Sequence, residues 1–309
     1  MSNGYVCTLS PACLERAKAE LCEDPNTRKQ EINAFRERLL RLPGLNCRTD
    51  SLFLLRFLRA KKFDQERSFT LIINYYKRKL EKPDLYATLL PSSIQHVLEN
   101  DFIVKLDGKD KEGSPVLFYR PGLWDPDKYP AWDILKTSMI IMSKLLEEED
   151  VQVTGVRFLT DLKDFHWQHV KNMPLDYLKF QLSWFQDSMP LRYKGFHNLH
   201  EHAVFYHLFT LMKHLMSEKL KSRIFLHGSK VEELLEFIDK DVLPEEYGGT
   251  GPPLSGKAYT KVLLESEQDF KEEMRYGFVD MTMHKDNKSK QSEDAMENLS
   301  GTYRKLDID

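Results

Sequence analysis

Only four cysteines occur in 309 residues, Cys7, Cys13, Cys22 and Cys47, all in the first sixth of the chain. Their spacing fits no zinc site, and a chain of this length builds its core without disulfide staples, so free thiols in a reducing compartment are expected. Long apolar runs are also lacking. The MIIM of 139–142 is among the longest, far short of the ~18 residues that cross a bilayer. The opening MSNGYVCTLSPACLERAK has no basic start followed by an apolar stretch, which argues against a secretory signal and for a cytoplasmic protein. Charge of one sign is scarce too. Lys and Arg number 45 against 48 Asp and Glu, a net charge of −3, so the basic surplus of a nucleic-acid binder is missing and no nucleic-acid partner is expected. Any basic surface must be local.

What is present reads first as helix. Segments 14–23, 28–42 and 50–60 are rich in Leu, Ala, Glu and Arg. Asp50 is placed to cap a helix whose Phe53, Leu54, Phe57 and Leu58 form one apolar stripe, and Asp64 to cap the next, carrying Phe69, Ile72, Ile73 and Tyr76. From about residue 102 the pattern changes. Segments 102–106 and 116–119 flank the turn-forming DGKDKEG as a hairpin-like pair. Then follow a helix (131–147), a strand (156–161), a helix (175–187), a strand (192–196), a helix (202–215), a strand (223–227) and a helix (231–239). This alternation predicts an α/β domain with a mostly parallel sheet and crossover helices. The expected division is an N-terminal helical lobe (1–95), the α/β domain (96–250), a C-terminal helix (251–276) and a disordered polar tail (277–309).

Several local patterns suggest chemistry and are better read structurally. Gly251 to Ala258 comes within one residue of a phosphate-binding loop, but Ala258 stands at the hydroxyl position and two prolines remove amides. His197, His200, His202, His207 and His214 invite a metal reading, yet they straddle a strand end and a loop with no cysteine nearby. Asp161 and Asp164 flank a strand end, where turn and capping roles are commoner than catalysis. No G-x-S-x-G elbow occurs, and Ser138 has no visible His–carboxylate support, so an enzyme is not expected.

Three helices carry more apolar surface than covering a sheet requires: 131–147 with Leu135, Ser138, Met139 and Met142 on or near its apolar face, 175–187 with Trp184 and Phe185, and 202–216 with Phe205, Leu208, Phe209 and Met212. Pattern alone leaves a conventional core and a cavity wall both open.

The blocks LLRFLRAKKFD (54–64), DSMPLRYKGFHNL (187–199), MSEKLKSRIFLHG (216–228) and LPEEYGG (243–249), set in order around the strand–helix alternation, resemble the CRAL-TRIO lipid-binding family, in its tocopherol-transfer and clavesin branch. The likeness spans roughly residues 10–250. It implies a helical lobe followed by an α/β domain whose hydrophobic cavity is closed by a mobile lid at about 200–223. Cavity positions of the branch are matched by Leu135, Ser138, Met139, Met142, Val156 and Thr160. Further along the chain they are matched by Phe165, Trp184, Phe185, Leu191, Tyr193 and Phe196. By period-two alternation Phe158 shares a face with Val156 and Thr160, and Gly195 would mark a bulge that turns Tyr193 and Phe196 inward together. Met142 stands where the branch has a second pocket serine, Thr160 replaces an aromatic, and Tyr193 and Trp184 replace smaller residues. The resemblance therefore implies a reshaped cavity, compatible with a tocopherol, a retinoid, a carotenoid, a sterol-like molecule or an acyl chain.

Lys61, Arg192, Lys194, Lys219 and Arg223 match positions that form a phosphoinositide-binding cleft beside the lid in that branch, a role suited to groups that make several charge-assisted bonds to phosphate. The expected function is a cytoplasmic carrier of a hydrophobic small molecule, needing no cofactor or metal and releasing its cargo at phosphoinositide-containing membranes such as endosomes. The alternative is a phosphoinositide-binding trafficking adaptor of clavesin type that meets a protein partner through 258–276 or the tail.

Overall fold

Capping decides where the first helices begin. In the computed structural model, which describes residues 5–279, Ser10 accepts from the Cys13 amide and opens α1 (Pro11–Leu21). The start precedes the expected 14, because Pro11 has a preset φ and no N–H to leave unsatisfied. After α2 (Arg28–Leu40) and the two-residue β1 (Leu45–Asn46), Asp50 accepts from Phe53 N at 3.0 Å to start α3 (Ser51–Ala60). Asp64 accepts from Arg67 N at 2.9 Å to start α4 (Gln65–Glu81). The two apolar stripes read from the sequence bury against each other in one cluster.

Short α5 (Pro83–Ala87) and α6 (Gln95–Leu98) lead into a five-stranded sheet. Its strands are β2 (Ile103–Lys109), β3 (Pro115–Tyr119), β4 (Val156–Asp161), β5 (Tyr193–Leu199) and β6 (Ile224–Leu226). β2 and β3 pair antiparallel and all later neighbours pair parallel, in chain order. Right-handed crossovers between sequential neighbours put every connecting helix on one face. These are α7 (Ala131–Leu145) and α8 (Glu149–Thr154), α9 (Trp167–Lys171) and α10 (Leu175–Ser183), then α11 (Ala203–Lys213) and α12 (Glu218–Lys221). The other face carries Val116, Phe118, Leu159 and Leu199, packed against Leu234, Ile238, Leu243 and Tyr247.

Three expected helices differ. The one expected over 175–187 is α-helical only to Ser183 and continues as a π turn, Trp184–Ser188. Helix α4 holds that turn: Asn74 donates to the Asp187 carbonyl at 3.1 Å and Arg78 Nε to Ser188 Oγ at 2.9 Å. The segment 231–239 forms a 3-10 turn, Val231–Glu236. The single helix expected near 258–276 is split at Ser266 into α13 (Lys257–Glu265) and α14 (Glu267–Glu273). Beyond it β7 (Gly277–Phe278) pairs antiparallel with β1, so the chain is ordered past the expected start of the tail at 277; residues 280–309 lie outside the described residues.

Buried charge ties α3 to the end of α1 and to α8. Arg59 of α3, fully buried, binds both oxygens of Glu23 at 2.8 Å, Glu149 at 2.8 Å and Gln152 Oε1 at 2.9 Å. A buried guanidinium persists where its donors are matched in this way.

Candidate functional site

A bulge shapes the floor of the helix-covered face. Val156 pairs with Tyr193 while Arg157 pairs with Gly195, which leaves Lys194 as the extra residue. Tyr193 and Phe196, three apart, therefore both face the helices, as the glycine suggested. A Cβ on Gly195 would lie 2.8 Å from His197 Nε2 on the opposite face, so only glycine fits this crowded turn.

Above this floor, under α11, is a cavity of about 310 Å³. Of the sequence-predicted positions, Ser138, Thr160, Phe165, Phe185 and Phe196 line it, and so do the expected lid residues Phe205, Leu208, Phe209 and Met212. The other predicted wall residues do not. Leu135, Met139 and Met142 lie on the neighbouring ridge of α7, buried in the core, because Ile134 and Ser138 take the cavity side. Val156 and Phe158 share Thr160's face as expected, but Tyr193 and Phe196 cover that end of the sheet. Phe158 stacks on Phe196 at 4.8 Å and meets Tyr193 at 5.9 Å, and Tyr193 donates to the Phe185 carbonyl at 2.7 Å. Trp184 and Leu191 are likewise core. The bulky Tyr193 and Trp184 thus fill space that smaller residues would leave open.

Other wall residues went unread in the sequence, among them Tyr119, Gln181 and Asn198. Alternation along β3 places Tyr119 on the same face as Leu117 and was the available signal for it. No lining side chain is charged among the described residues. Tyr119 donates to Ser138 Oγ at 3.4 Å, and Ser138 Oγ donates to the Ile134 carbonyl at 3.2 Å. Burial raises the Tyr119 phenol well above its usual range, so it stays a neutral donor.

The outer side of α11 mixes exposed Tyr206 and Leu211 with exposed His207, Thr210 and Lys213, and exposed Leu215 follows just past its end. Phe205 and Phe209 stack at 5.7 Å over the cavity, while Tyr206 (47 %), Leu211 (54 %) and Leu215 (46 %) remain exposed. Exposed Trp167 on α9 sits against His207 at 5.4 Å. Gln186 of the π turn clasps the far end of α11, donating to the Leu215 carbonyl at 3.1 Å and accepting from Ser217 N at 2.7 Å. At the near end the His202 ring lies 3.2 Å from the Leu162 carbonyl.

The five basic residues expected in a cleft divide into two groups. Lys61, Lys219 and Arg223 gather without an acidic ion-pair partner among the described residues, and Arg67, unread in the sequence, joins them. Burial, then Arg223, Lys61, Arg67 and Arg192, pushes the Lys219 ammonium below its usual range. Burial and Arg67 do the same to Lys61, opposed by Asp187. Arg192 and Lys194 are neutralised instead: Arg192 pairs with Glu20 at 2.6 Å and Lys194 with Glu112. The strand pattern could not show the acids that α1 and the β2–β3 hairpin bring there.

The decoys have structural roles. Asp161 accepts from Lys163 N at 3.0 Å and from Tyr247 Oη at 2.7 Å, and pairs with His200 at 2.7 Å. In the loop-like glycine segment, Gly251 N is spent on the Leu243 carbonyl at 2.7 Å and Gly256 N on Asp101 at 2.6 Å. Among the described residues no group of His, Cys, Asp and Glu is arranged to hold a metal, and no helix is long and apolar enough to cross a membrane.

Residues 99–249 match the family model of the CRAL/TRIO domain. The chain is 35% identical over 271 residues to an alpha-tocopherol transfer protein-like protein of Mus musculus, covering 87% of this chain and 79% of that one. It is 31% identical over 264 residues to Clavesin-2 of Mus musculus, covering 84% and 81% respectively. Among solved structures, that of Sfh5 superposes with a TM-score of 0.51 at 13% identity over 80% of this chain and 99% of that one, a likeness of fold. With its sheet, its roofed cavity and these relatives, the chain belongs to the CRAL/TRIO family.

Proposed function

We propose that this protein carries a hydrophobic small molecule in the cavity under α11 and releases it at membranes that bear phosphoinositides. The observation that carries this reading is α11 itself: it covers an uncharged cavity with one apolar face and leaves the large side chains Tyr206 and Leu211, with Leu215 just past its end, in water. Large apolar side chains grouped in water, with exposed Trp167 beside them, mark an interaction surface. Membership of a lipid-binding and lipid-transfer family supports the reading, as does a relative named for tocopherol transfer.

Tyr206, Leu211 and Leu215, with Trp167 beside them, would touch the bilayer first. Phe205, Phe209 and Met212 face the cavity and would reach lipid once the helix swings. Lys61, Arg67, Lys219 and Arg223 supply the anionic-lipid contact, each cation near such a surface contributing about 1 kcal/mol. That contact biases the open state because the cluster adjoins α12, at the end of the lid.

Lipid extraction of the full chain purified from eukaryotic cells, followed by mass spectrometry, tests the carrier reading. One hydrophobic species is expected near a 1:1 ratio. Protein that carries nothing, and that takes up no lipid from vesicles, would count against it.

A further inference from the structure

The cavity is apolar overall, yet its polar side chains are not equally spent. Asn198 uses its amide on the carbonyls of Phe196 and Phe225, both at 3.2 Å. Ser138 is engaged with Ile134 and Tyr119. On α10, Tyr177 and Gln181 both line the cavity one helical turn apart, and neither side chain has a hydrogen-bond partner within the described chain. Tyr177 is 1 % exposed. Thr160 on β4 is unpaired too and half-buried like Gln181, but it stands alone on its strand.

The Tyr177 oxygen is not among the sealed side-chain atoms left without a partner; it opens into the cavity, where a polar atom facing a bare hydrocarbon would lose its hydrogen bond. A guest oxygen completes that bond. Burial, and after it the nearby Tyr119, keeps Tyr177 protonated and therefore a donor. Gln181 adds two N–H donors and one acceptor. No lining residue is a cation, so a carboxylate or phosphate drawn in here would lie unpaired at low dielectric. A bare hydrocarbon would leave both Tyr177 and Gln181 unsatisfied.

Resting on the carrier reading, we propose that Tyr177 and Gln181 form a polar subsite that selects an uncharged lipid bearing a hydroxyl or carbonyl oxygen over the hydrocarbon or the acid. The guest's oxygen accepts from the Tyr177 hydroxyl or the Gln181 amide, and a guest hydroxyl donates back to the Gln181 carbonyl. The chain's reshaped pocket is therefore polar on α10 as well as at Ser138.

Three isoprenoid probes of one length test this: farnesol, farnesene and farnesoic acid at pH 8, by equilibrium ultrafiltration on the full chain. Farnesol is expected to bind about tenfold tighter than either of the others. The double variant Tyr177→Phe with Gln181→Leu is expected to hold farnesene at least as well as the parent while its preference for farnesol disappears. Retained farnesene binding reports that the variant is folded. Should it fail to fold, Tyr177→Phe alone keeps the ring and is expected to lower the preference about threefold. Equal binding of alcohol and hydrocarbon by the parent, tighter binding of the acid, or a preference that survives the substitutions overturns the subsite and leaves the carrier reading standing. Failure of all three probes to bind overturns both.

Discussion

Arg157 donates from Nη1 to His197 Nε2 at 2.8 Å, across adjacent strands on the sheet face turned away from the cavity. A guanidinium has no acceptor, so His197 must accept at Nε2 and carry its proton on Nδ1, which faces His227 Nε2 at 3.0 Å. The chain of contacts ends at acids: Asp110 lies 2.7 Å from Arg157 Nε and Glu233 2.7 Å from His227 Nδ1.

This arrangement makes stability depend on pH. Burial, then Arg157, then His227, lowers His197 to about 3, against about 6.5 for an unfolded histidine. Between those values the unfolded chain binds a proton that the native chain refuses. The contribution is complete above about pH 6.5 and is lost as pH falls toward 3, by up to about 1.4 kcal/mol per unit. His197→Gln keeps an oxygen for Arg157 and removes the titration. Urea midpoints measured at pH 7.5 and 5 should differ less in that variant, and an unchanged difference would refute the assignment.

Gly195→Ala tests the bulge. The added carbon would meet His197 Nε2 at 2.8 Å and Arg157 Nη1 at 3.2 Å. A loss of about 2 kcal/mol is expected from overpacking, seen by calorimetry as a melting temperature lower by roughly 5 °C. Lipid retention should fall with it, since Phe196 loses its register.

The two sides of α11 should separate in function. Leu211→Asp, on the exposed side, should change stability by less than about 0.5 kcal/mol and leave cargo bound in solution, yet slow transfer to vesicles about tenfold, as loss of one inserted leucine implies. Met212→Asp, over the cavity, should lose cargo directly. Fluorescent-lipid transfer kinetics distinguish the two, and identical behaviour would argue against a membrane role for the outer face.

Charge should matter only where it is unpaired. Lys219→Glu is expected to weaken binding to phosphoinositide-containing vesicles about tenfold, reversing a charge worth about 1 kcal/mol at such a surface. Lys194→Gln, already neutralised by Glu112, should change it less than about twofold. Vesicle sedimentation with and without the lipid provides both readings.

The buried Arg59 cluster makes the final prediction. Arg59→Met should cost about 3–5 kcal/mol, because Glu23 and Glu149 stay buried with fewer donors. Chemical denaturation measures it directly.

Much of this molecule is decided locally and was legible as such. Asp50 and Asp64 cap helices because a side-chain carboxylate reaches an amide three residues on, and 156–161 forms a strand through its own alternation. The bulge at Lys194 was signalled by Gly195, and the apolar stripe of α11 by helical spacing. Other features depend on parts of the chain that meet only on folding. The end of α10 becomes a π turn because Asn74 and Arg78 hold it. Periodicity put Met139 and Ser138 on one apolar arc, and only packing separated core from cavity wall. Arg192 and Lys194 looked like free cations until Glu20 and Glu112 arrived from distant segments, and Arg67 joined Lys219 across the lobe boundary. Short-range bonds are written within a few residues of sequence. Which volume stays hollow, and which charges stay unmatched, follows from what long-range packing brings alongside them.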